Sequence, residues 1–568
     1  MSRGKETLSM KIVTVEQMRA IEKAADAQGL TYAEMMENAG RAVANWMERQ
    51  GVKDKNVLVL VGPGKNGGDG LVTAYYLHQA GASVSVYCGK RDTADDANWK
   101  RVQDAGIPTY RGEEDEHYKV LRRLATQADW VVDALLGTGV SRPITGALQE
   151  ILSIMRKEVE HRKAGKYPET FVQPLPIASG KNHPSPMVLA LDVPSGLNCD
   201  SGAVDPVTLP ADVTITLAFP KVGLFLFPGA NYVGELVIAD IGIPPKLAKD
   251  IVLEMTTPAM VKTLLPQRPK NGHKGTFGKV MVVAGSANYT GAPCLAASAA
   301  LRVGAGLVTL GVPASIHPIL AAKLSEATFL LLPHEIGALV PEAVKVLQEG
   351  LGGYDALLLG PGIGRDEKTV EFVARLLSLP LGEKKGRIGF VEPTTEQEEK
   401  GQPLPPLVID ADGLNALSDI KGWAQFLHLH SRGVVLTPHP GEMSRLLGTT
   451  IEEVEANRIA MARQAAQEWG VVVVLKGAYT VIASPTGIAY INPFANPALA
   501  TAGTGDVLAG AVAGLLAQGL PPFEAAVVGA YLHGLAGQMV SEELGLAGAV
   551  AGDLLPRLPL SIRRVTGV

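Results

Sequence analysis

Apolar and polar positions along the chain keep two different periods. "TVEQMRAIEKAADAQ" (14–28) and "TYAEMMENAGRAVANWMERQ" (31–50) bring an apolar residue round every three to four positions, which predicts two amphipathic helices. Short apolar runs rich in β-branched residues follow: "NVLVLVG" (56–62), "SVSVYCG" (83–89), "WVVDALLG" (130–137), "MVLALDVPSG" (187–196), "VTITLAF" (213–219) and "GELVIADIGIP" (234–244). Such runs predict strands buried on both faces. Their alternation with amphipathic segments predicts a largely parallel sheet between two layers of helix. The rhythm starts again after about residue 255, with "KVMVVAGS" (279–286), "GLVTLGVP" (306–313), "ALLLGPG" (356–362), "LVIDADGLNAL" (407–417), "GVVLTPHPGE" (433–442) and "GVVVVLKGAYTVI" (470–482). Two α/β domains are therefore expected, 1–250 and 251–568. Segment 257–278 reads as a linker and entry loop, and the polar, proline-bearing stretches 155–186 and 382–406 read as long surface loops.

Composition narrows the class. A chain of 568 residues exceeds one ordinary core, and 46% hydrophobic with 19% charged residues fits packed globular domains. A net charge of −5 gives no pull toward nucleic acid or an anionic membrane. The least charged stretches, 303–322 and 507–523, are broken by Gly, Pro or Gln, so no membrane span is expected. Cys88, Cys199 and Cys294 lie far apart without metal-ligand spacing, which points to a reducing cytoplasm. The Ala/Gly-rich helices, if exposed, suggest a homo-oligomer.

The candidate chemistry lies at strand ends and glycine turns. In "NPALATAGTGDVLAGAVAGLLAQG" (496–519) a lone acid, Asp506, stands between Gly503-Thr504-Gly505 and an uncharged apolar run. If that run is a buried helix, the free N–H groups of its first turn face any bound anion, and glycine lets the backbone come close to a phosphate. A carboxylate in the same turn can take the proton of a hydroxyl that attacks phosphorus. The plainer reading makes Asp506 a first-turn residue favoured by the helix dipole. Other polar groups end neighbouring apolar runs: Lys476 with Gly477, the turn "GPGIG" (360–364), Asp410 with Asp412, and His439 with Glu442. Taken singly, His439 is a turn residue and Asp412 with Asn415 a helix cap; together they converge on one end of a sheet.

At this point residues 260–560 resemble the ADP- or ATP-dependent NAD(P)H-hydrate dehydratases of ribokinase-like fold. The matching pieces are "HKGTFGKVMVVAGSANYTGAPCLAASAALRVGAGLVTL", "GPGIG", "DADGLN", "TPHPGEM", "KG" and "NPALATAGTGDVLAG". The resemblance implies that Lys476, Gly477, Ala478, Tyr479, Thr480 and Gly505 contact the nucleotide. It implies that Ala292, Gly362, His439 and Asp506 contact the hydrated cofactor, with Asp506 catalytic. Magnesium is implied by the polyphosphate.

In the first half, "NVLVLVGPGKNGGDGLVTAYYL" (56–77) reads as strand, Gly-rich turn and helix, a device for wrapping a diphosphate in backbone N–H groups. It lacks the G-x-G-x-x-G spacing; the plainer alternative is a tight turn with Asp69 as cap. "DALLGTGVSRPITG" (133–146) and "LDVPSGLNCDSG" (191–202) end two further strands, so Asn66, Asp133, Asp192 and Ser195 can gather at one crevice. Their oxygen donors suit a hard cation.

This half, about residues 10–245, resembles the NAD(P)HX epimerases through "GPGKNGGDG", "DALLGTG", "LDVPSG" and "ADVTITLAFPKVGLFLFPGANYVGELVIADIGIP". The resemblance implies that Asn66, Gly67, Gly68, Asp69, Gly70, Gly137, Thr138, Gly139, Val140, Ser141, Arg142, Pro143 and Asp192 hold the hydrate. It also implies potassium on Asn66, Asp133 and Ser195, and Asp192 as the acid–base residue at C6. Some members carry a lysine in the loop that here reads Val140-Ser141-Arg142-Pro143, so no lysine partner for Asp192 is implied. The combined expectation is an N-terminal Rossmann-like three-layer α/β/α sandwich joined to a C-terminal ribokinase-like α/β/α sandwich. Such a protein would recover both C6 epimers of hydrated NADH or NADPH at the expense of ADP or ATP. Two other readings are a small-molecule kinase with a regulatory N-terminal domain, and an N-terminal half that only senses a ligand or binds a protein.

Overall fold

The computed structural model describes residues 10–140, 142–164, 186–380, 404–427 and 432–567. Two compact units emerge, Lys11–Ile251 and a second running from Val252 onward. Among the described residues no helix is long and apolar enough to cross a membrane.

The N-terminal unit is built on a parallel sheet. Its strands are Asn56–Val61 (β1), Ser83–Cys88 (β2), Thr109–Arg111 (β3), Trp130–Ala134 (β4), Met187–Leu191 (β5), Val213–Leu217 (β6) and Glu235–Ala239 (β7). The order is β3-β2-β1-β4-β5-β6-β7, and every pairing is parallel. Because β1 pairs with β2 on one side and β4 on the other, the order reverses there. A crevice opens beyond the carboxyl ends of β1 and β4, where ligands of open α/β sheets bind. Helices Val15–Ala27 (α1) and Tyr32–Arg49 (α2) start where the periodicity places them, each opened by a threonine capping box, Thr14 with Gln17 and Thr31 with Glu34. Lys65–Gln79 (α3) follows β1 and packs closely on α2: a Cβ at Gly40 would meet Val72 Cβ at 2.5 Å.

One expected loop is partly helical. Residues 155–164 continue the helix Ala147–Ala164 (α4), because Met155 and Val159 are buried among its polar neighbours. Of the expected loops, residues 165–185 and 382–403 lie outside the described residues.

The C-terminal unit has strands Leu253–Met255 (β8), Lys279–Val283 (β9), Leu307–Pro313 (β10), Thr328–Leu332 (β11), Ala356–Leu359 (β12), Leu407–Ile409 (β13), Val434–Leu436 (β14), Val472–Leu475 (β15), Val481–Ala483 (β16) and Ala489–Ile491 (β17). They run β8-β17-β16-β15-β14-β13-β12-β9-β10-β11, parallel from β15 to β11 and antiparallel through β15-β16-β17. The run 470–482 therefore holds two antiparallel strands, Val472–Leu475 and Val481–Ala483, rather than a single strand. The expected linker also contains a helix, Pro258–Leu264 (α5), capped by Thr257 with Pro258 in its first turn. The other helices that bear on function are Gly291–Arg302 (α6), Asp412–Asp419 (α7), Pro440–Leu447 (α8), Thr504–Ala517 (α9) and Pro522–Leu544 (α10).

The Ala/Gly composition of α9 has a packing cause. A Cβ at Gly510 would lie 2.1 Å from the Ala296 carbonyl oxygen, and one at Gly514 would lie 2.6 Å from Val303 Cγ2, so α9 and α6 meet backbone to backbone. All of α9 beyond Asp506 is buried, as is most of α10. The small-residue surfaces that suggested self-association are thus spent inside this unit.

Candidate functional site

In the N-terminal unit the crevice is a cavity of ≈ 1020 Å³. Helix α3 begins at Lys65, so Asn66–Gly70 form its first turns instead of a loop, and Asp69 caps nothing. Gly64 opens the helix without any side-chain cap, which leaves first-turn N–H groups unsatisfied at the crevice. Asn66 and Asp69 line the cavity; Gly67, Gly68 and Gly70 do not. Those glycines serve packing. A Cβ on each would meet, respectively, the Gly62 carbonyl oxygen at 2.1 Å, Met36 Sδ at 2.7 Å and Ala134 Cβ at 2.6 Å. Arg91, missed by sequence reasoning, braces the turn by donating from Nη1 to the carbonyls of Gly62 and Gly64 at 2.9 and 2.8 Å.

Gly137, Thr138, Gly139, Val140, Arg142 and Pro143 form the opposite wall, and Ser141 lies outside the described residues. Asp133 and Ser195 sit behind that wall. Ser195 Oγ donates to Asp133 Oδ1 at 2.6 Å, its N–H donates to Asp133 Oδ2 at 2.9 Å, and it accepts from Leu136 N–H at 2.8 Å. Asn66 Nδ2 donates to the Leu136 carbonyl at 3.0 Å, so the backbone of Leu136 links all three residues. Burial pushes the Asp133 carboxyl up, with the Ser195 bonds opposing. An oxygen-only set of Asn66, Asp133, Ser195 and Leu136 fits a hard cation.

Asp192 also lines the cavity and is held in the left-handed region at φ 67°. A non-glycine residue stays there only when its surroundings over-determine it. Leu217 N–H and Thr216 Oγ1 donate to Asp192 Oδ1 at 3.0 and 3.3 Å, and Lys221 Nζ reaches the same oxygen at 2.5 Å. Asp192 therefore does have a lysine partner, one that the resemblance did not supply. It comes from "LAFPKVGLF" rather than from the glycine loop; one charged residue inside that apolar run was the available signal. Glu22 of α1 enters the same cavity and was equally missed, being read as the polar face of an amphipathic helix. Burial raises Glu22, and so does Asp192, against Lys65, Lys221 and Arg19. Asp69 is pushed well above the carboxylate range by burial first, then by Asp192 and Glu22.

In the C-terminal unit, Gly503 at φ 89° opens α9, again without a side-chain cap, and Gly505 and Asp506 follow in the first turn. His533 Nε2 holds that turn by its 2.9 Å bond to the Thr504 carbonyl, and burial keeps this imidazole neutral with a pKa of about 4. The helix dipole by itself would lower the Asp506 pKa. Instead burial, then Asp410, raise it to about 7, while Lys476 pulls it back. An acid with that balance is a poor dipole partner and a good base near neutrality.

Lys476 crosses this site. Its Nζ lies 2.6 Å from Asp410 Oδ1 and 3.6 Å from Glu442 Oε2, and a methyl placed on Gly505 would come within 3.4 Å of it. Burial disfavours this ammonium, yet Asp410, Glu442 and Asp506 more than offset that and hold its pKa high. Gly477-Ala478-Tyr479-Thr480 turn the β15–β16 hairpin beside it. Position 477 favours glycine on two counts: its φ is 138°, and Arg458, which donates to the Leu475 and Lys476 carbonyls, fills the space of a side chain. His439 caps α8, its Nδ1 accepting from Gly441 and Glu442 N–H at 3.0 and 3.3 Å. Burial, Lys476 and Arg445 hold its pKa down, so the plain reading of His439 as a turn residue is met without removing it from the site. Gly362, at φ 66°, comes close to Ala292, a Cβ there lying 3.1 Å from Ala292 Cβ. Among the described residues no three carboxylate, imidazole or thiol side chains converge as a metal cage.

Comparison with known proteins finds a family for each half of the chain. A family model described as NAD(P)H-hydrate dehydratase matches residues 280–559, and one described as YjeF-related protein N-terminus matches residues 32–223. A bifunctional NAD(P)H-hydrate repair enzyme of Moorella thermoacetica is 39% identical over 98% of this chain and 97% of its own. This chain belongs to the bifunctional NAD(P)H-hydrate repair enzymes. The member from Escherichia coli is 30% identical, over 95% of this chain and 91% of its own. The ADP/ATP-dependent NAD(P)H-hydrate dehydratase from Bacillus subtilis, co-crystallised with ATP/Mg2+, is 29% identical. It covers 55% of this chain and 98% of its own, with a TM-score of 0.44. Membership in the repair enzymes runs through both halves, as the motifs implied.

Proposed function

We propose that the two sites carry successive steps in the repair of hydrated NADH and NADPH. The N-terminal site interconverts the R and S hydrates at C6, and the C-terminal site dehydrates the S form with ADP or ATP. The observation that carries this reading is Asp506, a carboxyl with a pKa near neutrality in the uncapped first turn of α9, facing Lys476.

Asp506 takes the proton of the C6 hydroxyl, and that oxygen attacks the terminal phosphorus of the nucleotide; the bond from that phosphorus to the bridging oxygen breaks, and AMP (from ADP) or ADP (from ATP) leaves with the electron pair. The first-turn N–H groups at Gly505 and the Lys476 ammonium stabilise the charge gathering on the transferred group. Lys476 to Thr480 form the wall along which the nucleotide lies, and Ala292, Gly362 and His439 the wall for the hydrate. Hydroxide is a poor leaving group and phosphate a good one. The nitrogen lone pair of the ring expels the phosphate, C5 loses a proton, and the C5–C6 double bond of the reduced nicotinamide returns. Magnesium, arriving on the polyphosphate, would offset its charge when bound. In the N-terminal cleft Asp192 serves as the acid–base group; Asn66, Asp133 and Ser195 would hold potassium, whose charge would steady the glycine walls. Three free, dispersed thiols accord with a cytoplasmic setting.

Protein, hydrate and either ADP or ATP, followed by NADH absorbance, test the reading directly. Recovery of NADH is expected; a phosphorylated product without NADH would favour the kinase alternative. The pH dependence has a definite sign. Asp506 works ionised, so dehydratase kcat/KM should rise by about tenfold per pH unit below its pKa and level off above it, the turn falling near pH 7. A flat profile from pH 5 to 8 would remove this carboxyl from the rate-limiting proton transfer.

A further inference from the structure

Lys221 leaves the epimerase cleft one proton carrier short. An ammonium has three protons, and here all are engaged: with Asp192 Oδ1 at 2.5 Å, Thr216 Oγ1 at 3.1 Å and the Leu217 carbonyl at 3.1 Å. The side chain is 1% exposed. Lys221 therefore positions Asp192 and has no donor left for a substrate.

Inversion at C6 calls for two carriers. The hydrated ring is a hemiaminal, with a hydroxyl and the ring nitrogen N1 on the same carbon, so it can invert as sugars mutarotate. One group takes the hydroxyl proton while the C6–O bond becomes a carbonyl. The C6–N1 bond breaks, its electron pair goes to N1, and N1 receives a proton from the second group. After rotation about C5–C6, N1 attacks the other face of the carbonyl and returns its proton, and the oxygen recovers the first one. Both groups end as they began, and no oxidant, reductant or further reactant is consumed.

Two carboxyls besides Asp192 face this cavity, Glu22 and Asp69, and neither makes a side-chain hydrogen bond among the described residues. Asp69 is 8% exposed, a short side chain at the root of α3. Glu22 is half-buried, has the longer reach, and enters from α1, an element distinct from the strand end that carries Asp192. We propose that Glu22 is a catalytic residue of the epimerase, giving N1 its proton while Asp192 takes the proton of the C6 hydroxyl. The proposal rests on the epimerase reading of the cleft. Its electrostatic setting agrees: burial raises the Glu22 carboxyl, Asp192 adds to that, and Lys65, Lys221 and Arg19 moderate it.

The full chain supplies its own control. Starting from mixed R and S hydrates with excess ADP and magnesium, NADH returns in two phases, a fast one as the S form is dehydrated and a slower one limited by epimerisation of R. In Glu22→Gln the fast phase should stay within about twofold of wild type, while the slow phase falls by about 10²-fold with little change in its KM. Glu22→Asp, which keeps a proton carrier, should regain at least about a tenth of the lost rate. The wild-type slow phase should weaken at alkaline pH as the acid form of Glu22 is lost, and the Gln variant should lack that limb. The proposal is overturned if the Gln variant keeps a slow phase within about threefold of wild type. It is equally overturned if Glu22→Asp is as slow as Glu22→Gln, or if only Asp69→Asn removes the slow phase. A wild-type slow phase no faster than the spontaneous reaction would instead sink the epimerase reading itself.

Discussion

Asp506→Asn is expected to lower dehydratase turnover by about 10²–10⁴-fold, the usual loss for a general base, with ADP affinity close to wild type. The substitution keeps the shape of the first turn of α9 and its N–H groups, so what binds phosphate remains while what removes the proton is gone. The same change should stabilise the fold near neutral pH. The Asp506 pKa is raised from 3.8 to about 7, so the folded state binds more protons than the unfolded chain between those values. The stability that goes with the protonated form is complete below pH 3.8 and is lost as pH rises through 7. The Asn variant escapes that loss. Its Tm should match wild type near pH 4 and exceed it increasingly up to about pH 7, as measured by calorimetry at a series of pH values. Equal Tm values throughout would mean that the acid is not under the strain assigned to it; near-normal turnover would take it out of the chemistry.

Lys221→Met should abolish epimerisation and cost the N-terminal unit about 3–5 kcal/mol, the penalty of breaking a buried ion pair from one side. Lys221 is 1% exposed and Asp192 is 11% exposed at the side chain, so water cannot replace the missing ammonium. Two donors, Leu217 N–H and Thr216 Oγ1, remain for a carboxylate that has lost its counter-charge. Thermal unfolding followed in the full-length protein should show this unit melting earlier, by about 2–4 °C per kcal/mol for its size. Removing both charges, as Lys221→Met with Asp192→Leu, should recover most of that stability and none of the activity, since an apolar pair of similar volume replaces a buried salt bridge at little cost. If the single variant melts with wild type, the pair does not have the energetic role its burial suggests.

These two residues also mark what a sequence reveals. Asp506 was legible because a lone acid between glycines and a long apolar run breaks the local pattern. The central strands were legible for a similar reason: β1, β4, β13 and β15 are buried along nearly their whole length, so composition reports burial directly. Lys221 was not legible, because its meaning depends on a partner 29 positions away. Neither propensity nor period carries that information. Glu22 obeys the amphipathic period of α1 and faces a cavity formed by other elements, so its pattern is that of any solvated acid. Gly67, Gly68 and Gly70 were recognised as ligand-binding positions; that each also has a packing reason to be glycine, against Gly62, Met36 and Ala134, was not legible, because those contacts are made by other elements. The helix α5 hid in a proline-rich segment whose Thr257-Pro258 pair was itself the start signal.

The central claim is that the C6 oxygen of the hydrate leaves on phosphate, after Asp506 has readied it to attack the nucleotide. Hydrate made with a heavy-oxygen label in its C6 hydroxyl, turned over with ADP, tests this by mass analysis of the inorganic phosphate. The account predicts label in the phosphate in step with the NADH recovered. Recovered NADH with the label in water and none in phosphate would contradict it.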